Sequence, residues 1–309
     1  KAFWSGNSNN HSQDTFDLRV LDGGVEIEHI VDPVGPTIPW WTESGEVTLA
    51  ASTTTPVDLD QEVNTSRAFI LLSRRAGSGQ DEPSDSGAYA QWVNGTRFNI
   101  IKFSSEAGAI YVWQVIEGAD IIVQNGTQTY AATQTSFNIL INSVNISRTV
   151  AFMTFGSCDS TTPGDNNEIF WTGNITNSTN LNITRNDGAA CDGSVGYFVV
   201  EFNDGSTIQQ GQIANVGATA TPSYAMVNTI NQSNTWFYFS SAYDSTATGL
   251  DDTGIIAQHY NDTAFRVSRA VAGGTARAQW YAISTSGAVI QNGTNVITST
   301  GTNQAISNV

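Results

Sequence analysis

The chain has 309 residues, of which 13% are charged, and its 12 basic residues face 28 acidic ones. A formal net charge of −16 leaves too few cations to neutralise a run of phosphates, which excludes nucleic-acid binding. No apolar run reaches the roughly 18 residues of a membrane-spanning segment, which argues against membrane insertion. The abundance of Thr, Ser, Asn and Gly favours strands and turns and is typical of extracellular, cell-surface or virion-surface proteins.

The first segment, residues 1–45, reads as half a repeat followed by a proline-rich linker. Residues 16–28 match the closing half of the repeat described below, and Pro33, Pro36 and Pro39 predict extended backbone after it. Trp40 and Trp41 follow that linker. If exposed they would form a sugar-stacking or interface anchor, whereas the favoured interpretation is a seal against the first repeat.

Three tandem copies of one unit occupy the middle of the chain. The hairpin-like segment that begins at Asn94 recurs at Asn177 and Asn261, at a step of 83 and then 84 residues. Other markers recur at steps of 81 to 86 residues: an Asn-x-Ser segment before an apolar run, a large aromatic residue, and a glycine thirteen residues after that aromatic residue. They lie at Asn64, Asn145 and Asn231, at Trp113, Phe198 and Trp280, and at Gly126, Gly211 and Gly293.

Each copy reads as six or seven short strands without any helical periodicity, which predicts an all-β chain of three tandem β-sandwich repeats of about 84 residues. The markers place the repeats at residues 46–127, 128–212 and 213–295, with the opening strand of a further repeat at 296–309. The three large aromatic residues are predicted to lie in the core.

The two flanking segments are expected to be assembly elements, because a lone half-repeat exposes a sheet edge and an apolar face. Strand complementation between molecules, head to tail, is the favoured explanation. A slice of a longer repeat protein and packing of both segments within the chain stay open. The apolar residues concerned are Phe16, Leu18, Val20, Val25, Ile27, Val296, Ile297 and Ile306.

Asn-x-Ser/Thr triplets are numerous, and each is a candidate glycosylation site in a host that modifies asparagine. The same residues are common in hairpin turns, so both interpretations stay open. The eleven triplets begin at Asn10, Asn64, Asn94, Asn125, Asn145, Asn174, Asn177, Asn182, Asn231, Asn261 and Asn292.

No pattern of catalytic residues emerges, and the sequence predicts that the protein is not an enzyme and needs no cofactor. The three histidines share no spacing with the cysteines, and a disulfide between Cys158 and Cys191 is expected. Acidic loops could hold Ca²⁺, although solvated loops are favoured. Lys102, Arg185 and Arg269 share one register and either pair with acids or, as favoured, form solvated strand ends.

Residues 46–295 resemble the β-sandwich repeats of virion appendages and secreted surface proteins of microbes and their viruses. The resemblance lies in the buried strand, the Asn-x-Thr hairpin with a basic residue eight positions after its Asn, and the segment 197–202, Tyr-Phe-Val-Val-Glu-Phe. It implies a structural or adhesive role. The sequence therefore predicts an extracellular filament or appendage subunit; the alternative is a receptor- or carbohydrate-binding fibre or adhesin, with glycans or a host surface as partner.

Overall fold

The computed structural model describes strands and turns throughout. It describes residues 21–22, 25–26, 40–49, 53–75, 87–102, 109–158, 169–186, 192–216, 223–243, 255–269 and 275–285. Within these ranges there is no α-helix, and the one helical turn is the 3₁₀ segment Ile146–Arg148. The prediction of an all-β chain is confirmed. No helix in this described part is long and apolar enough to cross a membrane.

Twenty strands form the described structure, two of them short and the rest in three sets of six. The short pair is β1 (Leu21–Asp22) and β2 (Val25–Glu26). Copy 1 contains β3 (Trp40–Thr48), β4 (Thr54–Asp58), β5 (Ala68–Arg75), β6 (Ala88–Asn94), β7 (Arg97–Lys102) and β8 (Ile110–Gly118). Copy 2 contains β9 (Ile121–Tyr130), β10 (Ser136–Leu140), β11 (Thr149–Cys158), β12 (Thr172–Asn177), β13 (Asn180–Thr184) and β14 (Gly193–Phe202). Copy 3 contains β15 (Thr207–Ile213), β16 (Ser223–Met226), β17 (Thr235–Tyr243), β18 (Ile255–Asn261), β19 (Ala264–Arg269) and β20 (Ala276–Ser284).

All three copies share one topology, built from two three-stranded antiparallel sheets. In one sheet the sixth strand lies between the first and the third, and in the other the fifth lies between the second and the fourth. The fourth and fifth strands form the predicted hairpin at Asn94, Asn177 and Asn261. Each hairpin has a register shift just before that asparagine, so even the bulge repeats.

Strand pairing corrects the phase of the repeat. The segment containing Gly126, interpreted from the sequence as the end of repeat 1, is β9, and it pairs with β14 of copy 2. Gly211 likewise lies in β15, the first strand of copy 3. A periodic pattern fixes the length of the step and leaves open which strand comes first, which explains the displacement of the boundaries.

The core of each copy lies between its two sheets. In copy 1 the ring of Phe98 meets that of Trp113 edge to face at 5.5 Å, and in copy 3 Phe265 and Trp280 do the same at 5.2 Å. The sixth-strand aromatic residue covers a glycine of the first strand: Gly45 under Trp113, Gly126 under Tyr197 and Gly211 under Trp280. A Cβ on any of these glycines would come within 2.5 Å of the aromatic side chain. The marker in copy 2 is therefore Tyr197 rather than the predicted Phe198.

The predicted flanking assembly elements lie mostly outside the described residues. Of their apolar members only Val25 belongs to a described strand, where it pairs with Asp22 in the β1–β2 ladder. The residues from 286 onward, which include the opening strand predicted at 296–309, also lie outside. Strand complementation therefore remains a prediction.

Candidate functional site: the turn edge and the junctions

Six Asn-x-Ser/Thr triplets form identical Asx turns. In each, the Asn Oδ1 accepts hydrogen bonds from the backbone N–H and the side-chain hydroxyl of the residue two positions later. The distances run from 2.7 Å for Ser66 Oγ to Asn64 Oδ1 up to 3.2 Å for Thr179 Oγ1 to Asn177 Oδ1. All six asparagines are exposed: Asn64, Asn94, Asn145, Asn177, Asn231 and Asn261.

These turns lie on one edge of the array, which we call the turn edge. The backbone N–H of Asn64 donates to the Glu117 carboxylate at the end of β8 (2.9 Å), and β9 begins three residues after β8 ends. Asn145 makes the same contact with Glu201 at the end of β14 (3.2 Å). Since each copy starts and finishes at this edge, the turns of successive copies face the same side.

The remaining described triplets lie within strands. Asn182 Nδ2 donates to Ser136 Oγ, the Phe137 carbonyl and Asn138 Oδ1 at 3.0–3.2 Å, so this amide serves to hold β13 against β10. Asn125 is exposed on β9 and Asn174 is half-buried on β12. Asn10 and Asn292 lie outside the described residues. Turn geometry thus accounts for six of the triplets without a glycan, and glycosylation stays a prediction.

The strand-end cations are buried, against the favoured expectation that they are solvated. Lys102, Arg185 and Arg269 are each 1–2% exposed. The Arg185 guanidinium donates to the carbonyls of Ala131, Ala132 and Gln134 at 2.7–3.3 Å, and its Cζ lies 4.8 Å from the ring centroids of both Tyr130 and Trp171. Arg269 Nε donates to the Val216 carbonyl at 3.0 Å. Loop carbonyls are therefore partners of Arg185 and Arg269, and aromatic rings flank the Arg185 guanidinium.

Copies 2 and 3 are joined by buried tyrosine hydroxyls. Tyr281 Oη on β20 donates to the Gly173 carbonyl on β12 at 2.8 Å. Tyr238 Oη on β17 accepts from Met153 N–H at 2.7 Å and donates to the Met153 carbonyl at 3.2 Å. Met153 belongs to an edge strand, so Tyr238 satisfies backbone groups that would otherwise invite another strand. Burial raises the pKa of both hydroxyls, which therefore stay protonated.

Copies 1 and 2 meet through the corresponding strands, and here the contact is close packing. The rings of Phe69 on β5 and Phe152 on β11 stack with centroids 4.7 Å apart. A Cβ on Gly196 of β14 would lie 3.1 Å from the Ala90 carbonyl of β6, which shows how closely the two backbones approach. At both junctions the fourth strand of one copy thus lies across the sixth strand of the next.

Each junction buries the outward face of the sixth strand of the following copy, as a comparison of the three sixth strands shows. Every described residue of β14 and β20 is buried or half-buried, on both faces of the strand. In β8 the residues alternate, and the outward-facing Val112 is 40% exposed beside an exposed Gln114. In the described part of the chain, nothing therefore occupies in copy 1 the face that receives a fourth strand in copies 2 and 3.

The other end of the array presents the complementary strand. By register, Ala257 on β18 occupies the position of Ala90 and Gly173 in the fourth strands of copies 1 and 2. A Cβ on Gly173 would meet Met153 and Ala151 of its own copy, and Ala257 packs against the core of copy 3, so this position faces inward. The following copy approaches the Ala90 and Gly173 carbonyls instead, whereas at the end of β18 Tyr260 is 60% exposed. The side chain on the outward side of β18 is that of Gln258, which is half-buried.

The remaining predicted site residues are only partly described. Trp40 and Trp41 are half-buried at the start of β3. The side chain of Cys158, the whole of Cys191 and the acidic loops proposed for Ca²⁺ lie outside the described residues. Within the described ranges no three His, Cys, Asp or Glu side chains lie close enough to hold a metal ion. His259 Nε2 lies 3.0 Å from the Thr235 carbonyl, inside copy 3.

Sequence reasoning missed the junction residues. Tyr238 and Tyr281 stand in apolar runs typical of core strands, and a phenolic hydroxyl inside such a run is the signal that could have marked them. Comparisons of the chain with family models, with curated proteins and with solved structures gave no match.

Proposed function

We propose that this chain is an extracellular structural protein whose molecules associate head to tail into a filament or surface appendage. The observation that supports this is the sixth strand of copy 1, which exposes the face that its counterparts bury. The occupant follows from the chain itself, because the fourth strand of a preceding copy fills this position twice. A second molecule would supply that strand from its copy 3.

Such a contact does not close on itself. The face around Val112 and the face around Gln258 belong to opposite ends of the array, so the association is heterologous. After each addition, the polymer still has one unoccupied face at each of its two ends. A linear or helical polymer is the expected product.

Strand complementation is the finer form of this proposal. In every copy the first strand pairs with the sixth. Residues 20–23 match the end of a sixth strand by sequence, and residues 290–293 match the first-strand segment 123–126. We propose that these two segments pair between molecules, adding backbone hydrogen bonds to the face contact.

Blocking each face separately tests the proposal. Val112→Lys places a charge on the front face, and Gln258→Arg places a bulky charge on the rear face, the side of β18 opposite the core-facing Ala257. We expect wild-type protein to form polymers in sedimentation velocity and negative-stain images, and each variant alone to remain monomeric. An equal mixture of the two should form dimers and nothing larger, because only one pair of faces stays competent.

Leu140→Lys is the matched control, since Leu140 is 85% exposed on β10 and is remote from both faces. It should polymerise like the wild type. A wild-type protein that stays monomeric at high concentration, or a Val112→Lys variant that still polymerises, would refute head-to-tail packing. Deletion of residues 1–30 tests the finer form, which is wrong if the shortened chain builds the same filaments.

The alternative function, a receptor- or carbohydrate-binding fibre or adhesin, has a separate observation in its favour. That observation is a cavity at the first junction.

A further inference from the structure

A cavity of about 230 Å³ lies between copies 1 and 2. One wall is formed by Gln91 and Trp92 of β6, and the other by Asn125 and Thr127 of β9 with Tyr197 and Phe198 of β14. None of the residues that line it is charged, and they combine aromatic rings with amide and hydroxyl groups. This composition suits a small neutral ligand that is both apolar and rich in hydroxyl groups.

Trp92 carries an unsatisfied donor. Its Nε1 is buried and has no hydrogen-bond partner within the described part of the chain. Buried polar groups in proteins are nearly always paired, and an exception calls for an explanation such as a bound molecule. The Trp92 ring itself is held in place, edge to face with Phe98 at 5.9 Å.

The second junction shows how the same space can be filled. There Gln210 Nε2 crosses to the Ile175 carbonyl of the preceding copy at 3.0 Å. By register Gln210 corresponds to Asn125, Ile175 to Trp92 and Trp280 to Tyr197. On one wall of the first junction, Asn125 and Tyr197 are therefore smaller than their counterparts Gln210 and Trp280. On the other wall, Trp92 is larger than its counterpart Ile175. These replacements leave space in place of the bridge.

Gly126 brings Tyr197 close to the backbone of β9. A Cβ at this position would lie 2.5 Å from Tyr197 Oη, so glycine is what lets the ring lie across the strand. Partial burial raises the pKa of Tyr197, and its hydroxyl therefore stays neutral and able both to donate and to accept.

We propose that this junction cavity binds one neutral pyranose ring, as a monosaccharide or as the terminal unit of a glycan. The hydroxyl groups of a sugar can accept from Trp92 and pair with Asn125 and Tyr197, while its C–H face packs on an aromatic ring. The cavity is smaller than the roughly 300–1,000 Å³ of sites for drug-sized ligands, which limits it to a single ring. The absence of charge along the lining excludes sialic and uronic acids as preferred ligands.

The experiment follows the Trp92 indole ¹H–¹⁵N resonance, assigned with Trp92→Phe, in protein made in a host that does not glycosylate. Glucose, galactose, mannose and N-acetylglucosamine are titrated separately to about 100 mM, which covers the millimolar affinity expected of a single sugar ring. At least one should shift the resonance saturably. Val112→Lys is used as the background, so failure of polymer assembly leaves the result unaffected.

Asn125→Gln installs the residue that bridges the second junction and should weaken binding about tenfold or more. Gln210→Asn, the reverse exchange at the second junction, is the matched control and should leave the Trp92 titration unchanged. The proposal is wrong if none of the four sugars shifts the Trp92 resonance saturably, or if Asn125→Gln binds as well as its parent.

Discussion

The two junctions between copies use the same strands but different chemistry. At the second junction, Tyr238, Tyr281 and Gln210 make hydrogen bonds to backbone atoms of the preceding copy. At the first junction, Phe69 stacks on Phe152 and a cavity remains beside Trp92. The first junction also has polar contacts, because the Tyr89 hydroxyl forms a hydrogen bond with Ser194 and Val123 N–H donates to the Ser66 carbonyl at 2.8 Å. One docking geometry therefore tolerates different sets of contacts. What both share is a backbone carbonyl of the fourth strand, that of Ala90 or Gly173, which the sixth strand of the next copy approaches.

The largest effect is expected from forcing the first junction apart. A Cβ on Gly87 would overlap the carbonyl oxygen of Gly156 and the side chain of Ile169, both in copy 2. Because a backbone atom cannot move aside as a side chain can, Gly87→Ala should lower the free energy of unfolding by about 3 kcal/mol. Urea unfolding followed by tryptophan fluorescence measures the loss.

Gly126→Ala is the control for this substitution. Its Cβ would meet the hydroxyl end of Tyr197, which can move, so a loss below about 1 kcal/mol is expected. Equal losses for the two variants would show that the close approach of Gly87 and Gly156 does not hold the first junction in place.

The second junction should be most sensitive to its hydroxyl groups. Tyr281→Phe leaves the ring in place but removes the donor to the Gly173 carbonyl, leaving a buried acceptor unsatisfied. Such a loss costs about 1–3 kcal/mol. Tyr197→Phe at the first junction should cost less than about 0.5 kcal/mol, since its hydroxyl makes no hydrogen bond within the described residues. Thermal unfolding of the two variants compares these hydroxyl groups directly, and a reversed order would contradict the stabilising role given to the Tyr281 hydroxyl.

The strand content, the threefold repetition and the hairpins were predictable because they depend on local patterns. Alternating apolar residues and Asn-x-Thr turns act over a few residues, and each recurs in every copy. The phase of the repeat was not predictable, since Gly126 looks the same whether its strand closes one copy or opens the next. Only pairing with β14, some 70 residues further along the chain, decides between these alternatives.

The contacts at the junctions were even harder to predict from the sequence. Arg185 and Arg269 read as strand-end charges, and nothing nearby in the sequence indicates that loop carbonyls accept hydrogen bonds from them. The outward face of a strand looks the same in sequence whether water or another copy covers it. The exposed Val112 and the buried Phe198 both belong to alternating apolar segments, and the difference between them arises from the array rather than from either strand.

Alkaline pH should weaken the second junction selectively. Burial raises the pKa of Tyr238 and Tyr281 above the 10.0 of a free tyrosine, so the folded state keeps protons that the unfolded chain releases. Their contribution to stability is complete below about pH 10 and declines above it, by up to about 1.4 kcal/mol per pH unit for each tyrosine. Unfolding free energies from pH 9 upward should fall less steeply in a Tyr238→Phe, Tyr281→Phe double variant, and parallel curves would contradict this account.

The smallest effect is expected at the turn edge, where one Asx turn also takes part in the first junction. The Ser66 carbonyl, inside the turn of Asn64, accepts from Val123 N–H of copy 2 at 2.8 Å. Asn64→Ala removes two hydrogen bonds that shape this turn and should cost about 1 kcal/mol. Asn94→Ala removes the same pair of bonds from a hairpin tip that has no such link to the described residues of copy 2, and it serves as the control. Amide hydrogen exchange at Val123 distinguishes the two, because only Asn64→Ala should speed it; equal rates would mean that the turn and the junction are independent.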